Sequence, residues 1–228
     1  MTRRTGDSVP IIEEMHQSLS IIGRGKLGRA LAEAWNGQVQ LYSREGRPSG
    51  WVLLAVPDDQ IESIAQHFQG RCVHLSGSRH FPHIPCAHPL TSFNGGVSDW
   101  SDTPLAITGQ VPDFITDAFR DLGFAPFSLP AEKKALYHAA AVFTSGHAAT
   151  LWLLVDKLLR DNDVHLPGRG IWPLAEKTLL NLQERGEAGR TGPFVRNDTE
   201  TIKRDTDALP ESLQSLFALI GEFYEGGS

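Results

Sequence analysis

Cysteine and methionine are both scarce in this chain, with two of each in 228 residues. Two cysteines, Cys72 and Cys86, build no disulfide framework and fit a reduced compartment. No excess of one charge exists either: 21 basic against 27 acidic side chains leave a formal charge of −6. A mildly acidic chain lacks the basic footprint of a nucleic-acid binder. Residues 1–17 read as a loose leader, in which Arg3-Arg4 precede no apolar run. Neither a secretory nor a twin-arginine signal is expected, and a cytoplasmic protein is the expectation. The hydrophobic fraction of 40% is ordinary for a globular chain with a real core.

One stretch is long, apolar and free of fixed charge. Ala135 to Val155 contains no Asp, Glu, Lys or Arg, and its length suits a membrane span. It also holds Tyr137, His138, Ser145, Gly146 and His147 among many small residues. That composition predicts a helix buried on all sides within a helical domain, with no membrane partner.

Strand and helix signals alternate up to Leu129. Leu19 to Ile22 is a short apolar run ending at glycine, Lys26 to Trp35 has helical spacing, and Val39 to Tyr42 is a second strand. Trp51 to Val56 reads as a strand buried on both faces. Asp58 to about Phe68 is helical, Cys72 to Leu75 a strand, and weaker strands surround a helix at Pro112 to Leu122. This alternation predicts a mostly parallel α/β sheet. From Ala131 onward only helical patterns occur, over about 131–160, 167–186, 198–208 and 211–224, with Asn197 and Glu200 as a capping box. The expected domains are therefore a Rossmann-type sheet domain over 18–129 and an all-helical domain over 130–228.

Gly23-Arg24-Gly25-Lys26-Leu27-Gly28 matches G-x-G-x-x-G between a strand and a helix. In that context the glycines permit a tight turn, close approach of a pyrophosphate and close helix packing. The helix amino terminus adds unpaired N–H groups for the anion. At the end of the second strand an NAD-type site would carry a carboxylate. This chain has Ser43-Arg44 with Arg47 nearby, a hydroxyl and guanidinium suited to a 2′-phosphate, so NADP (NADPH) is the expected cofactor. Ala55, Val56, Pro57 and Ser76 follow strands and are expected along its ribose and nicotinamide path. The usual helix is missing between the second strand and the strand at Trp51. Ser43 to Gly50 is too short for a helical crossover, so the second βα unit is absent.

Further motifs carry a family resemblance. His88-Pro89-Leu90-Thr91-Ser92-Phe93, Lys134-Ala135-Leu136-Tyr137-His138-Ala139-Ala140-Ala141 and Thr191-Gly192-Pro193-Phe194-Val195-Arg196-Asn197-Asp198 follow the glycine loop in that order. Together they resemble Rossmann-like proteins with a DUF2520 carboxy-terminal domain, which are similar to 6-phosphogluconate and β-hydroxyacid dehydrogenases. The resemblance implies an NADP-dependent oxidoreductase whose helical domain builds a homodimer. It also implies that Lys134 handles the proton of hydride transfer, with His138 where those dehydrogenases place an amide. His88 is similar to the histidine of the His-Pro motif in prephenate dehydrogenases, which polarises a substrate oxygen. The chain departs from the family pattern in the missing βα unit, at Gly146 and at Asp205.

Physical chemistry allows the same roles. Lys134 and His138 share a helix face; a lysine desolvated in a cleft can exchange protons nearer neutrality, and a histidine does so unaided. Ser92 and Arg196 are expected to bind substrate, the guanidinium by clamping a carboxylate. His80, His83, Cys86 and His88 crowd one proline-rich loop, but their spacing fits no zinc template and no metal is expected. The expected function is hydride exchange between NADP and a small oxo or hydroxy acid or an imine. A non-catalytic nucleotide sensor or dimeric scaffold with a degenerate site stands as the alternative.

Overall fold

In the sheet region, the apolar runs become short strands and the amphipathic segments become the helices between them. The computed structural model describes residues 18–225; the expected leader lies outside them. β1 (Leu19–Ile22), β2 (Gln40–Tyr42), β3 (Trp51–Leu54), β4 (Cys72–His74), β5 (Cys86–Pro89), β6 (Thr103–Thr108) and β7 (Phe124–Ser128) form one sheet in the order β2-β1-β3-β4-β5-β6-β7. β1 through β5 are mutually parallel, while β6 pairs antiparallel with β5 and parallel with β7. The sheet is the mostly parallel Rossmann-type sheet that the alternating pattern predicts. β2 and β3 flank β1 and are joined by a loop without a helix, so the abbreviated unit is real.

Period-two alternation sorts each strand onto two faces. On one face Ile21, Leu53, Val73, Ala87 and Leu105 pack with helices α1 (Lys26–Ala34) and α3 (Asp113–Asp121), through Leu31, Ile115 and Phe119. On the other, Ile22, Val52, Leu54 and Cys72 pack with Ile61, Ile64 and Phe68. Those three belong to α2 (Ile61–Ala65) and the 3-10 turns that flank it. His74, Cys86 and His88 share this second face by the same alternation, and the next helix brings its polar side chains there.

That helix is α4 (Lys134–Val142), which passes through a π-helical turn, Phe143–His147, into α5 (Ala148–Asp161). The chain forms two compact units divided between Ala149 and Thr150. The expected division after Leu129 marks where strands stop, but α4 belongs to the sheet unit. Lys134 and Tyr137 bind it there, through Ser76, Cys86 and His88. The second unit contains α6 (Trp172–Arg185), α7 (Thr199–Ala208) and α8 (Glu211–Glu225).

Two local expectations are corrected. Ala131–Asp161 has the length and composition of a membrane-crossing helix, yet none of its apolar window is buried. Leu136 and Phe143 are 70% and 67% exposed, so the helix is not buried on all sides; it turns mainly polar side chains to the sheet and leaves apolar ones uncovered. At the start of α7, Asp198 rather than Asn197 is the cap, its carboxylate accepting from Thr201 N at 3.1 Å. Asn197 occupies a left-handed conformation (φ 52°), so its backbone is outside the capping geometry.

Candidate active site

Parallel strands align their carboxyl ends along one edge of the sheet, and there ligands meet open α/β proteins. β1 is followed by Gly23, β3 by Ala55, β4 by Leu75, Ser76 and Gly77, and β5 by Leu90, Thr91 and Ser92. This edge gathers most of the residues singled out by sequence.

At β1 the glycine turn is built as the motif predicts. Gly23 has φ 120°, and a Cβ there would lie 2.0 Å from the Ala55 carbonyl oxygen. A Cβ on Gly28 would lie 1.9 Å from the Gly23 carbonyl oxygen. Gly25 is different: a Cβ would meet nothing within 4 Å, so its surroundings are open. Gly25 caps α1 in extended conformation with no acidic residue in the first turn, and Arg24 and Lys26 are exposed beside it. A tight turn with an open, cationic helix start fits a pyrophosphate. Leu27 packs against the core and shapes the turn from below.

The β2–β3 loop presents both charges. Arg44 Nη1 donates to Gln60 Oε1 at 2.9 Å, which steers the guanidinium toward the α2 side of the turn. Arg47 Nη1 donates to the carbonyls of Arg44 and Gly46 at 3.1 and 2.8 Å, so it braces the loop. Glu45, absent from the sequence-based assignment, stands between them. A hydrogen bond from the Ser43 side chain holds its carboxyl below the usual range, with Arg44 and Arg47 adding to the effect. Its signal in the sequence is its place directly after Ser43-Arg44 at the end of β2.

Near the ends of β4 and β5 a cavity of about 480 Å³ opens against α4. His88, Leu90, Thr91, Ser92, Tyr137, His138, Ala140, Ala141, Val142, Thr144 and Ser145 line it. His88 Nδ1 and the Tyr137 hydroxyl lie 3.0 Å apart in a hydrogen bond. Their rings meet edge to face, and Tyr137 also packs on Phe127. The His88 and His138 rings are 6.4 Å apart. Gly77 separates them: a Cβ there would lie 2.6 Å from His88 Nε2 and 2.8 Å from His138 Cδ2. Burial, followed by the Lys134 and His138 charges, pushes the His88 imidazole down to about 4. Burial raises the Tyr137 hydroxyl to about 12. At neutral pH the pair is therefore an uncharged imidazole and an intact phenol.

Lys134 has a different position. It is 1% exposed, and its Nζ donates to the Ser76 carbonyl at 3.0 Å and to Cys86 Sγ at 3.1 Å. The Cys86 thiol donates to the same carbonyl at 3.2 Å, and burial raises it despite the neighbouring ammonium. Lys134 thus ties α4 to β5 and to the loop after β4 and is not part of the cavity lining. Ser76 N in turn donates to His74 Nδ1 at 3.2 Å, and buried His74 leaves its Nε2 without a partner in the structure.

Val56 and Pro57 continue from β3 to Asp58, whose carboxylate accepts from the Ser78 hydroxyl at 2.7 Å and braces the loop after Ser76. Ser92 lines the His88 cavity, whereas Arg196 lies in the second unit. Among the described residues no group of three His, Cys, Asp or Glu side chains is placed to hold a metal. Tyr137 was missed. Its available signal was its position three residues after Lys134 on the helix that the motif had already identified.

The fold and this edge define a Rossmann-type α/β protein with a helical carboxy-terminal region. Residues 103–223 match the family described as a domain of unknown function, DUF2520. The chain belongs to that family. A comparison with curated proteins returned no match. Among solved structures of similar fold, protein TM1727 from Thermotoga maritima is 22% identical, with a TM-score of 0.72 over 91% of this chain and 96% of that one. BF3122 from Bacteroides fragilis, named as a candidate NADP oxidoreductase, is 20% identical, with a TM-score of 0.71 over 90% and 96% of the two chains. An imine reductase from Myxococcus stipitatus in complex with NADP+ is 11% identical, with a TM-score of 0.60 over 92% and 95%. At these identities the likeness establishes the fold.

Proposed function

We propose that the protein is an NADP-dependent oxidoreductase that moves a hydride between the nicotinamide and a small oxo or hydroxy compound or an imine. One observation carries this reading: the glycine turn at β1 and the His88 cavity after β5 lie on the same carboxyl edge of the parallel strands. NADP-linked neighbours of the same fold support it. Gly23, Gly25 and Gly28 would hold the pyrophosphate, and Ser43 and Arg44 the 2′-phosphate. Ala55 and Ser76 would border the path toward the cavity. When bound, NADPH would supply the hydride. His88 and His138 would orient the reacting group and connect it to a proton source. Lys134, tied to Ser76 and Cys86, would fix the geometry instead of exchanging protons. Arg196 would contribute to substrate binding, and we propose that the protein is a soluble cytoplasmic homodimer built through the helical region.

Titration of purified protein with NADPH and NADH, followed by calorimetry, tests the reading. NADPH should bind more tightly than NADH, and Arg44→Ala should remove that preference. Binding of neither nucleotide at about millimolar concentration, near −4 kcal/mol of affinity, would overturn it. The loop that replaces the second βα unit favours one rival, a nucleotide sensor without turnover. Tight NADPH binding with no oxidation across a panel of ketones and imines would select that rival.

A further inference from the structure

Hydride addition to a carbonyl or a neutral imine leaves a negative heteroatom that must take a proton. The lysine expected to give it is held elsewhere, by Ser76 and Cys86. The cavity lining offers a phenol already bonded to an imidazole: the Tyr137 hydroxyl, 3.0 Å from His88 Nδ1. The apolar lining of the cavity is Leu90, Ala140, Ala141 and Val142, and its polar lining is hydroxyls and imidazoles. Two of those hydroxyls are engaged by the helix itself, Thr144 with the Ala140 carbonyl at 3.0 Å and Ser145 with that of Ala141 at 2.8 Å. A carboxylate placed here would face alkyl walls, with no Lys or Arg side chain in the cavity lining to pair with it. A neutral acceptor would lose little on transfer and gain a hydrogen bond.

We propose that the Tyr137 hydroxyl, backed by His88, protonates the heteroatom of the substrate, and that the substrate is a carbonyl or imine bearing no carboxylate beside the reacting carbon. This inference rests on the oxidoreductase reading and narrows its substrate class. As the hydride reaches carbon, the π electrons move onto the heteroatom, which takes the phenolic proton. With His88 as the Nδ1–H tautomer, that nitrogen donates to the phenol and leaves the phenolic proton free for substrate. The phenolate then takes the Nδ1 proton while His88 Nε2, on the Gly77 and His138 side, accepts one from His138 or solvent. Exchange of the Nε2 proton back through His138 or solvent with reprotonation at Nδ1 restores the starting tautomer, so that proton count and charge close with one proton taken from solvent per turnover. The imidazole is uncharged at neutral pH, as this tautomer requires.

Methyl pyruvate and pyruvate present one ketone without and with a negative charge, and serve as the probes. NADPH affinity is measured first, so failure of cofactor binding falls on the oxidoreductase reading alone. Each probe is then followed by NADPH oxidation and, independently of turnover, by saturation-transfer NMR on the full chain. The expected result is contact with methyl pyruvate and a kcat/KM at least about tenfold above that of pyruvate, the discrimination of roughly one lost hydrogen bond. Tyr137→Phe keeps the ring contacts to His88 and Phe127. It should lower kcat about 10²-fold or more, or weaken the methyl pyruvate signal where turnover is absent, with NADPH affinity unchanged. The wild-type rate should stay flat from about pH 7 to 9, because a phenol keeps its proton through that range. Contact with neither probe, a preference for pyruvate, or Tyr137→Phe behaving as wild type in both rate and signal would overturn the inference. So would a rate that falls tenfold across that pH interval.

Discussion

Single residues on the second face of the sheet set how the protein responds to acid. His74 is pushed down to about 3 and His88 to about 4, both chiefly by burial, from an ordinary value of 6.5. The unfolded chain therefore binds more protons than the folded one below pH 6.5. Stability present above that value is lost as pH falls toward 4 and 3. Between pH 6.5 and 5 each histidine should cost about 2 kcal/mol. Urea midpoints measured from pH 7 to 5 should fall accordingly, and His74→Gln should flatten the slope. Glu45 offers a second test. Its carboxylate opposes any phosphate held by Arg44, so Glu45→Gln should tighten NADPH binding about two- to fivefold, by calorimetry at low salt. At this scale the sequence named residue types well and their surroundings poorly. Lys134 and His138 share a helix face, as their spacing required, but spacing alone did not show that Cys86 and Ser76 occupy the lysine. That pairing joins segments distant in the chain, and only the sheet order brings them together.

Elements show the opposite balance. The strand at Trp51 and the helix at Lys26 were legible because apolar runs and helical spacing are local properties, and so was the missing crossover between β2 and β3. The sign of the β5–β6 pairing was not legible, since it depends on which way a loop returns. The uncovered face of α4 and α5 was equally hidden: small and apolar residues read the same whether a neighbour covers them or not. The glycine turn gives the firmest expectation here. Gly28→Ala places a methyl 1.9 Å from a backbone carbonyl of the turn, which must move. Thermal unfolding should show a loss of about 1–3 kcal/mol, and NADPH affinity should drop with it. Gly25→Ala meets open space. It should leave stability within about 0.5 kcal/mol of wild type and weaken only the nucleotide, which separates fold from ligand at neighbouring positions.

For the whole molecule, the helical region carries the unanswered apolar surface. Leu174 and Phe223 are 74% and 76% exposed, among many other apolar side chains of α6 and α8. Exposed apolar patches of this kind are what oligomers cover. Under the proposed homodimer, sedimentation equilibrium at micromolar concentration should give twice the chain mass, and Leu174→Glu with Phe223→Glu should give a monomer. The short β2–β3 connection acts at this scale through time. An adenosine half resting on a loop braced by Arg44, Arg47 and Gln60 has fewer contacts to break than one enclosed by a further helix and strand. Affinity lost this way is expressed mainly as faster departure. The nucleotide would then behave as a passing co-substrate, renewed at each turnover, and the protein's activity would follow the ratio of reduced to oxidised nucleotide in the surrounding pool.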